Sequence, residues 1–551
     1  MNKEIQKKWA KKAVNSVADY FPAPSDINKW AECEELLGSA LECANSINLY
    51  TINTENAAYL LNQTAFYLQQ QANFVEAKPL FQVSLKIYKQ LGSQHPDYAN
   101  SLNNIALLYE AQGEYEKAIP LYQESLIIFE KTLGKQDANY ANTLNNLAGL
   151  YESKGLYVQA LPLHQEALMI REKVLGKQHP DYANSLNNLA GLYEAQGQYE
   201  KALLLHQEAS KVWEQSLGKH HPNYAHSLNN LASLYEFLGQ YDQALCLHQE
   251  ALNVREKILG KKHPDYAMSL HNIALLYESQ GKYQQALPLY QQALQIRQLT
   301  LGKQHPEYAA TLNNIALLYK LFDQYEQALP LYQECLKIRE KVLGKQHPDY
   351  ATSLNNIALL YEAQGEYEKA LPLLQEDVKI TAQSLGKQHP EYATSLHNLA
   401  ELYRAQEKYE QAALLFQQAL QIVEQTLGKQ HPDYAYTLNS LAYLYQLQDK
   451  YEQALLLYQE ALIIREHVLG KEHSDYAITL HNLATVYEAK NQYKQALPLY
   501  KQAVNIVRGV LGEQHSTTET LKENYEYCLK KFQEQADNEQ RNSKEMGRKS
   551  N

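Results

Sequence analysis

A Leu-Gly pair recurs every 42 residues, eleven times, from Leu91-Gly92 through Leu133-Gly134 and Leu175-Gly176 to Leu511-Gly512. A fixed period of this length restricts the chain to a solenoid or array, in which each unit buries its apolar face against the next. The 551 residues therefore do not divide into three or four independent domains, as length alone would suggest. Tyrosine usage agrees, with 44 Tyr against 9 Phe and 3 Trp. The positions of Tyr182, Tyr193 and Tyr199 are tyrosine in ten successive units, and the position of Tyr290 adds five more. A large ring with a polar tip fills a gap between helices while its hydroxyl finds a partner, so these are packing residues.

Each unit holds two helical patterns, separated by a glycine (Gly113, Gly155, Gly197, Gly239, Gly281, Gly365) or a polar substitute. In the unit beginning at Asp181, Leu186, Leu189, Ala190 and Tyr193 share one side of the first helix, helix A. Asp97, Asp181, Asp265, Asp349, Asp433 and Asp475 are expected to cap helix A, each preceded in most units by a proline that ends the previous segment (Pro96, Pro180, Pro264). Helix B is expected from about Tyr199 to Leu217, with Ala202 and Ala209 as small contact points and Gly218 as its C-cap. Seven units carry a proline early in helix B (Pro79, Pro120, Pro162, Pro288, Pro330, Pro372, Pro498). Proline is tolerated where a backbone N–H is free, so helix B either starts late or bends there.

These residues carry a resemblance. Leu189-Ala190-x-x-Tyr193, Gly197-x-Tyr199 and Ala202 with Ala209 resemble the tetratricopeptide-repeat (TPR) signature. The 42-residue period, with LGKQHPDYA joining units, resembles the long variant found in kinesin light chains. The resemblance covers about residues 57–515. It implies an all-α, right-handed superhelical solenoid of about eleven helix pairs, counting an earlier unit from Ala57 to Gln90. Residues 1–56 are expected to form an N-terminal helical cap, 516–535 a C-terminal capping helix, and 536–551 a disordered polar tail. Within the first segment, Phe21-Pro22, Trp30, Leu36-Leu37 and Ala40-Leu41 resemble the stretch that precedes the TPR sensor arrays of bacterial STAND-class proteins. No phosphate loop accompanies it, because every Gly-Lys pair continues with Gln, His, Lys, Tyr or Glu. Residues 1–56 also lack the sustained heptads through which kinesin light chains join their motor. Lys3, Lys7, Lys8, Lys11 and Lys12 alternate there with Ile5, Trp9, Ala13 and Val17 in a basic amphipathic helix; packing is favoured over a membrane-surface role.

On a helical wheel, Asn184, Asn187, Asn188, Gly191 and Ala195 lie opposite the core side of helix A. In TPR superhelices that side lines the concave groove. Asparagines form two rows along it: Asn103, Asn145, Asn187, Asn229, Asn313, Asn355 and Asn439, with His271, His397 and His481 between, and Asn104, Asn146, Asn188, Asn230, Asn272, Asn314, Asn356, Asn398 and Asn482. An amide both donates and accepts, so the rows are expected to hold a peptide backbone; bonding between neighbouring repeats is the competing reading. Specificity is expected from positions that vary: Leu275, Leu317 and Leu359 where Gly149 and Gly191 leave room, Phe237 and Leu321 one helical turn on, and Lys320 and Arg404 interrupting the row Glu110, Glu152, Glu194, Glu236, Glu278 and Glu362. An acidic rim favours basic partners.

Other classes fall away on composition. A net charge of −11 argues against a general nucleic-acid surface, and no run of about 18 apolar residues suggests a membrane span. Five cysteines without a CxxC fit a reducing cytoplasm. Histidines one repeat apart do not converge on a metal, so no metal, cofactor or catalytic constellation is expected. The expected function is an interaction scaffold that captures a peptide segment or partner helix. A sensor subunit of a STAND-type ATPase on another chain and a kinesin-light-chain-like cargo adaptor are the alternatives. Repeats that touch only their neighbours would not unfold in one two-state step.

Overall fold

A computed structural model describes residues 3–24, 29–92 and 94–549, and every regular element among them is a helix. Helices α1 (Lys3–Tyr20) and α2 (Trp30–Tyr50) come first. Eleven hairpins follow, from α3 (Glu55–Gln70) with α4 (Phe74–Leu91) to α23 (Ser474–Ala489) with α24 (Tyr493–Leu511). The chain closes on α25 (Ser516–Lys549). That helix runs on through 536–549, where a disordered tail was expected. Its polar stretch is rich in Glu, Gln, Lys and Arg, which favour helix, and meets no glycine before Gly547.

The representative helix B spans Tyr199–Leu217, and Gly218 follows at φ +82°. Helix A begins differently from expectation. Its first residue is the proline, and its N-cap is the histidine before it. His179 Nδ1 accepts the Asp181 N–H at 3.1 Å, and His263, His347 and His431 repeat the bond. Proline suits the first helical position because its missing N–H would be unpaired there. The aspartate thus sits at the second position, where its charge meets the positive end of the helix. Asp137 caps only where the histidine is absent, accepting the Asn139 N–H at 2.8 Å. The prolines of helix B neither delay nor begin it: Pro162 is the sixth residue of Tyr157–Leu175. It sits on the outer surface beside Val158, which is 87% exposed, so water can reach the carbonyl that loses its donor.

Alanines close each hairpin. Ala190 and Ala202 are fully buried beside Tyr199 and Leu234 of the next unit. Buried arginines staple one unit to the next. Arg255 Nη1 donates to the Asp265 carbonyl at 3.0 Å and to Ser269 Oγ at 2.8 Å, and Arg171 and Arg339 do the same in theirs. Other units fill the arginine's position with Phe129, Trp213, Val423 or Val507, and one carries Thr381 there, with Asp377 where Ala167, Ala251 and Ala293 stand elsewhere. Burial pushes the Asp377 carboxyl up to about 6, against hydrogen bonds from Ser395 and Thr381 that favour its charge.

Helices pack extensively only on their sequence neighbours, yet the solenoid also touches itself at long range. His305 Nε2 donates to the Gln70 carbonyl, His389 Nε2 to that of Ser153 and His473 Nε2 to that of Phe237, at 3.4, 3.2 and 3.1 Å. The separations are 235 or 236 residues, about five and a half repeats. One superhelical turn therefore ends where its A–B turns meet the linkers of the next, and the helices run along the superhelix axis. The expectation that repeats touch only neighbours does not hold along this seam.

Asp377→Ala tests the energetic reading of the exceptional unit. A folded-state carboxyl held above its unfolded value contributes stability fully at low pH and loses it as pH rises through about 6. The alanine variant should be more stable than the parent by about 2 kcal/mol near pH 8, with the gain vanishing near pH 4. Urea melts at the two pH values measure the difference.

Candidate functional site

Successive A helices approach one another while successive B helices do not, so the A helices line the inner wall of the superhelix. The asparagine rows face that wall, and most of their amides are already paired. Asn146 Nδ2 donates to Asn103 Oδ1 at 3.2 Å, Asn230 to Asn187 at 2.9 Å, Asn356 to Asn313 at 2.8 Å, Asn398 to Asn355 at 2.9 Å and Asn482 to Asn439 at 3.4 Å. Asn314 pairs in the same way with His271 Nε2 at 3.2 Å. The second row of one unit thus donates to the first row of the unit before, forming a ladder between repeats.

Helix B supplies a histidine in place of tyrosine in three units; at one, Asn187 Oδ1 takes both His206 and Asn230, and at the other two the ladder breaks. His164 Nδ1 bonds Asn145 Oδ1 and His248 Nδ1 bonds Asn229 Oδ1, at 2.9 and 2.8 Å, while the same amides turn their Nδ2 to Ser185 and Ser269. Asn188 and Asn272, which would have used those oxygens, make no side-chain hydrogen bond among the described residues, and neither does Asn104. The second-row amides left without a side-chain hydrogen bond among the described residues are therefore Asn104, Asn188 and Asn272, one in every second repeat.

The acidic row is held from behind. Tyr122 and Tyr290 donate their hydroxyls to Glu110 and Glu278 at 2.9 and 2.8 Å, and Glu194 meets His206 Nε2 at 2.7 Å. Burial pushes the Glu110 carboxyl up to about 7 and raises Glu236, Glu278 and Glu362 as well. Hydrogen bonds from Tyr122, Ser279 and Tyr290 oppose this at the first three without cancelling it. The inner wall thus carries carboxylates with poor hydration and little positive charge beside them.

The variable positions do not form one patch. Leu275, Leu317 and Leu359 lie half-buried in three successive repeats, and Leu275 packs against the cluster of Ala274, Ala286, Tyr290, Ile315 and Leu318. Phe237 stacks instead on Tyr199, ring centroids 4.6 Å apart, at the end of helix A, and Leu321 is exposed at the equivalent end two units on. Burial lowers the Lys320 ammonium, which Glu362 partly offsets. Arg404 is engaged by Glu401 at 2.7 Å and covers the Tyr443 ring at 5.1 Å. Among the described residues, Glu55, His95 and Asp97 form the one trio with donor atoms in metal-binding range of each other. His95 Nδ1 is already taken by the Asp97 N–H.

The seam was not anticipated. His347 and Pro348 lie over Gly113, His389 and Pro390 over Gly155, His431 over Gly197 and His473 over Gly239. Covering buries these rings: His347 and His431 side chains are 11% and 9% exposed, against 42% and 41% for His95 and His179 on the uncovered linkers. Burial lowers the imidazoles of His347, His389 and His431, that of His389 to about 4. The available sequence signal was the turn residue itself, glycine at 113, 155, 197, 239 and 281 but Asp323, Glu407, Asp449 and Asn491 at later turns.

The amide ladder makes a sharp forecast. Asn230→Ala or Asn356→Ala should each destabilise the fold by about 1 kcal/mol, because a partner amide loses its bond. Asn188→Ala should stay within about 0.5 kcal/mol. Chemical denaturation of the three variants decides it.

Comparison with known proteins agrees with this architecture. A tetratricopeptide-repeat family model matches in overlapping stretches over residues 56–381 and 415–509, and a second tetratricopeptide-repeat model matches 393–433. Among solved structures, the chain is similar to kinesin light chain nearly identical TPR-like repeats from Podosopora anserina, with 29% identity over 37% of this chain and 97% of that one, TM-score 0.32. It is also similar to BtubC (BKLC) from P. vanneervenii, with 20% identity over 42% of this chain and 91% of that one, TM-score 0.34. No curated protein sequence matches. With repeat models covering most of its length, the chain belongs to the tetratricopeptide-repeat family.

Proposed function

We propose that this chain is a protein-interaction scaffold that holds an extended, basic segment of a partner protein along the inner wall of its superhelix. Tetratricopeptide repeats in general mediate contacts between proteins and are non-catalytic scaffolds. The observation that carries the finer reading is the row Glu110, Glu194, Glu236 and Glu278, each held by a hydrogen bond from a neighbouring side chain, with Glu110, Glu236 and Glu278 desolvated and Glu110 held near 7. A cationic chain beside it restores the missing compensation, and Asn104, Asn188 and Asn272 offer unpaired amides to its backbone.

Channel width favours an extended segment over a partner helix. About five and a half A helices at roughly 10 Å spacing enclose a ring about 17 Å across between axes. Helix walls of about 5 Å on each side leave roughly 7 Å, and a helix needs at least about 10 Å.

Fluorescence anisotropy with a labelled nona-arginine peptide tests the reading, with a nona-glutamate peptide as control. Cation binding favours ionised carboxylates, so affinity should rise between about pH 6 and about pH 8 and fall with added salt. The triple variant Glu110→Gln, Glu194→Gln, Glu278→Gln should weaken binding about tenfold or more. Equal binding of the acidic peptide, or no loss in the variant, would overturn the proposal.

A further inference from the structure

The turn between helices A and B takes a left-handed residue in every unit, but glycine is not needed for that conformation alone. Asp323, Glu407, Asp449 and Asn491 hold φ between 56° and 59°, close to the 69° of Gly113 and Gly197. What separates the two sets is cover. A Cβ at Gly113, Gly155 or Gly197 would stand 3.1, 2.9 or 3.0 Å from the nearest atom of the His-Pro linker above it, tighter than ordinary contact. At Gly281 it would stand 2.3 Å from the His515 ring. Among the described residues no linker contact is seen at the Asp323, Glu407, Asp449 or Asn491 turns, and Gly365 keeps glycine with nothing within 4 Å of a Cβ there. At the other end Ala72 has a Cβ at φ 55°, and there the His305 contact is the longest of the three seam hydrogen bonds, 3.4 Å.

The uncovered turns also satisfy themselves. Tyr325 and Tyr493 donate their hydroxyls to Asp323 and Asn491 two residues earlier, at 2.7 and 3.0 Å, and Tyr451 does the same with Asp449. The equivalent tyrosines of covered turns, Tyr115 and Tyr199, are buried and feel the carboxylates of Asp349, Glu391 and Asp433 across the seam. The same hairpin therefore has two complete local solutions, one docked and one free.

The seam is made by the linkers and the last residues of the helices that lead into them, such as Val468. A histidine lies over each covered glycine, joined by its neighbouring proline at Gly113, Gly155 and Gly197, and Leu385 packs among Ala106, Tyr115 and Leu150 of the earlier turn. No helix pair packs side by side across it with the extent seen between sequence neighbours. The hairpin cores rest on buried alanines that pack within a unit and against the next, and in several units on arginine staples. The later superhelical turn adds a few side chains at their edge, such as Leu385 beside Tyr122 and Val468 beside Tyr199.

We propose that this histidine-on-glycine seam is a separable latch: the first and second superhelical turns undock from one another while every hairpin stays folded, and docking closes the side of the inner channel. Undocking would admit a segment sideways, whereas the docked form admits one only from its ends. The value of such gating rests on the reading that the channel holds a partner. The latch itself does not, and its test reads no binding.

Distances between spin labels on cysteines replacing Glu116 and Lys345, in full-length protein with exposed Cys246 changed to Ser, report the seam directly. The parent should show a short, narrow distribution. The variant Gly113→Asp, Gly155→Glu, Gly197→Asp, Gly239→Asn, Gly281→Asp puts the free-turn residues under the linkers. It should lose the short-distance population while keeping the circular dichroism of the parent. A retained short distance would mean that the seam tolerates side chains, and would overturn the latch. Loss of helicity together with the short distance would show that the turns cannot part without unfolding, and would overturn it equally. A second variant, His347→Ala with His389→Ala, guards against strain in the glycine set: it should populate the long distance partly, with helicity intact.

Discussion

Everything in this molecule depends on how closely two helices can cross at alanine. Ala190 against Ala202, and their equivalents in each unit, leave no side chain to hold the helices apart. The crossing then has one geometry, and near-identical units repeat it with nearly the same small rotation. A solenoid that curves by a constant amount must come round on itself, and here it does so after about five and a half units. Curvature brings the A helices together inside, spreads the B helices outside, and carries linkers over turns some 235 residues earlier.

The linker histidine serves both consequences. Its Nδ1 caps a helix of its own unit and its Nε2 reaches a carbonyl of the previous superhelical turn, as at His389. Acceptance at one nitrogen and donation at the other require the neutral ring, and burial lowers its pKa in the same direction. The row of linker histidines is thus a row of caps, of which His305, His347, His389, His431, His473 and His515 are also seam contacts. In the inner wall the same economy appears with amides, which spend their donors on the neighbouring repeat, while Asn188 and Asn272 stay free where a histidine takes the oxygen they would use.

Local features were legible from residues because their causes are local. The helix-B span Tyr199–Leu217 and its glycine stop follow from periodicity and one φ value. The cap was misassigned because aspartate is the stronger general cap, and only the backbone path shows that Pro180 already lies inside the helix. The prolines of helix B were ambiguous because tolerance depends on which side of the helix meets water, and exposure of Val158 beside Pro162 decides that. Asparagine pairing was one of two readings from the start. Choosing between them required the distance between adjacent A helices.

By itself the sequence determined that this chain is a helical solenoid, how many hairpins it has, which residues form each core and which row turns acidic. These depend on contacts within a unit or with the next one, and a 42-residue repeat displays both. Tertiary structure alone decided how many units make a turn, which amides remain free and why some turns require glycine. Each of those is set by a rotation of a few tens of degrees per unit, summed over several units, and no single repeat contains that sum.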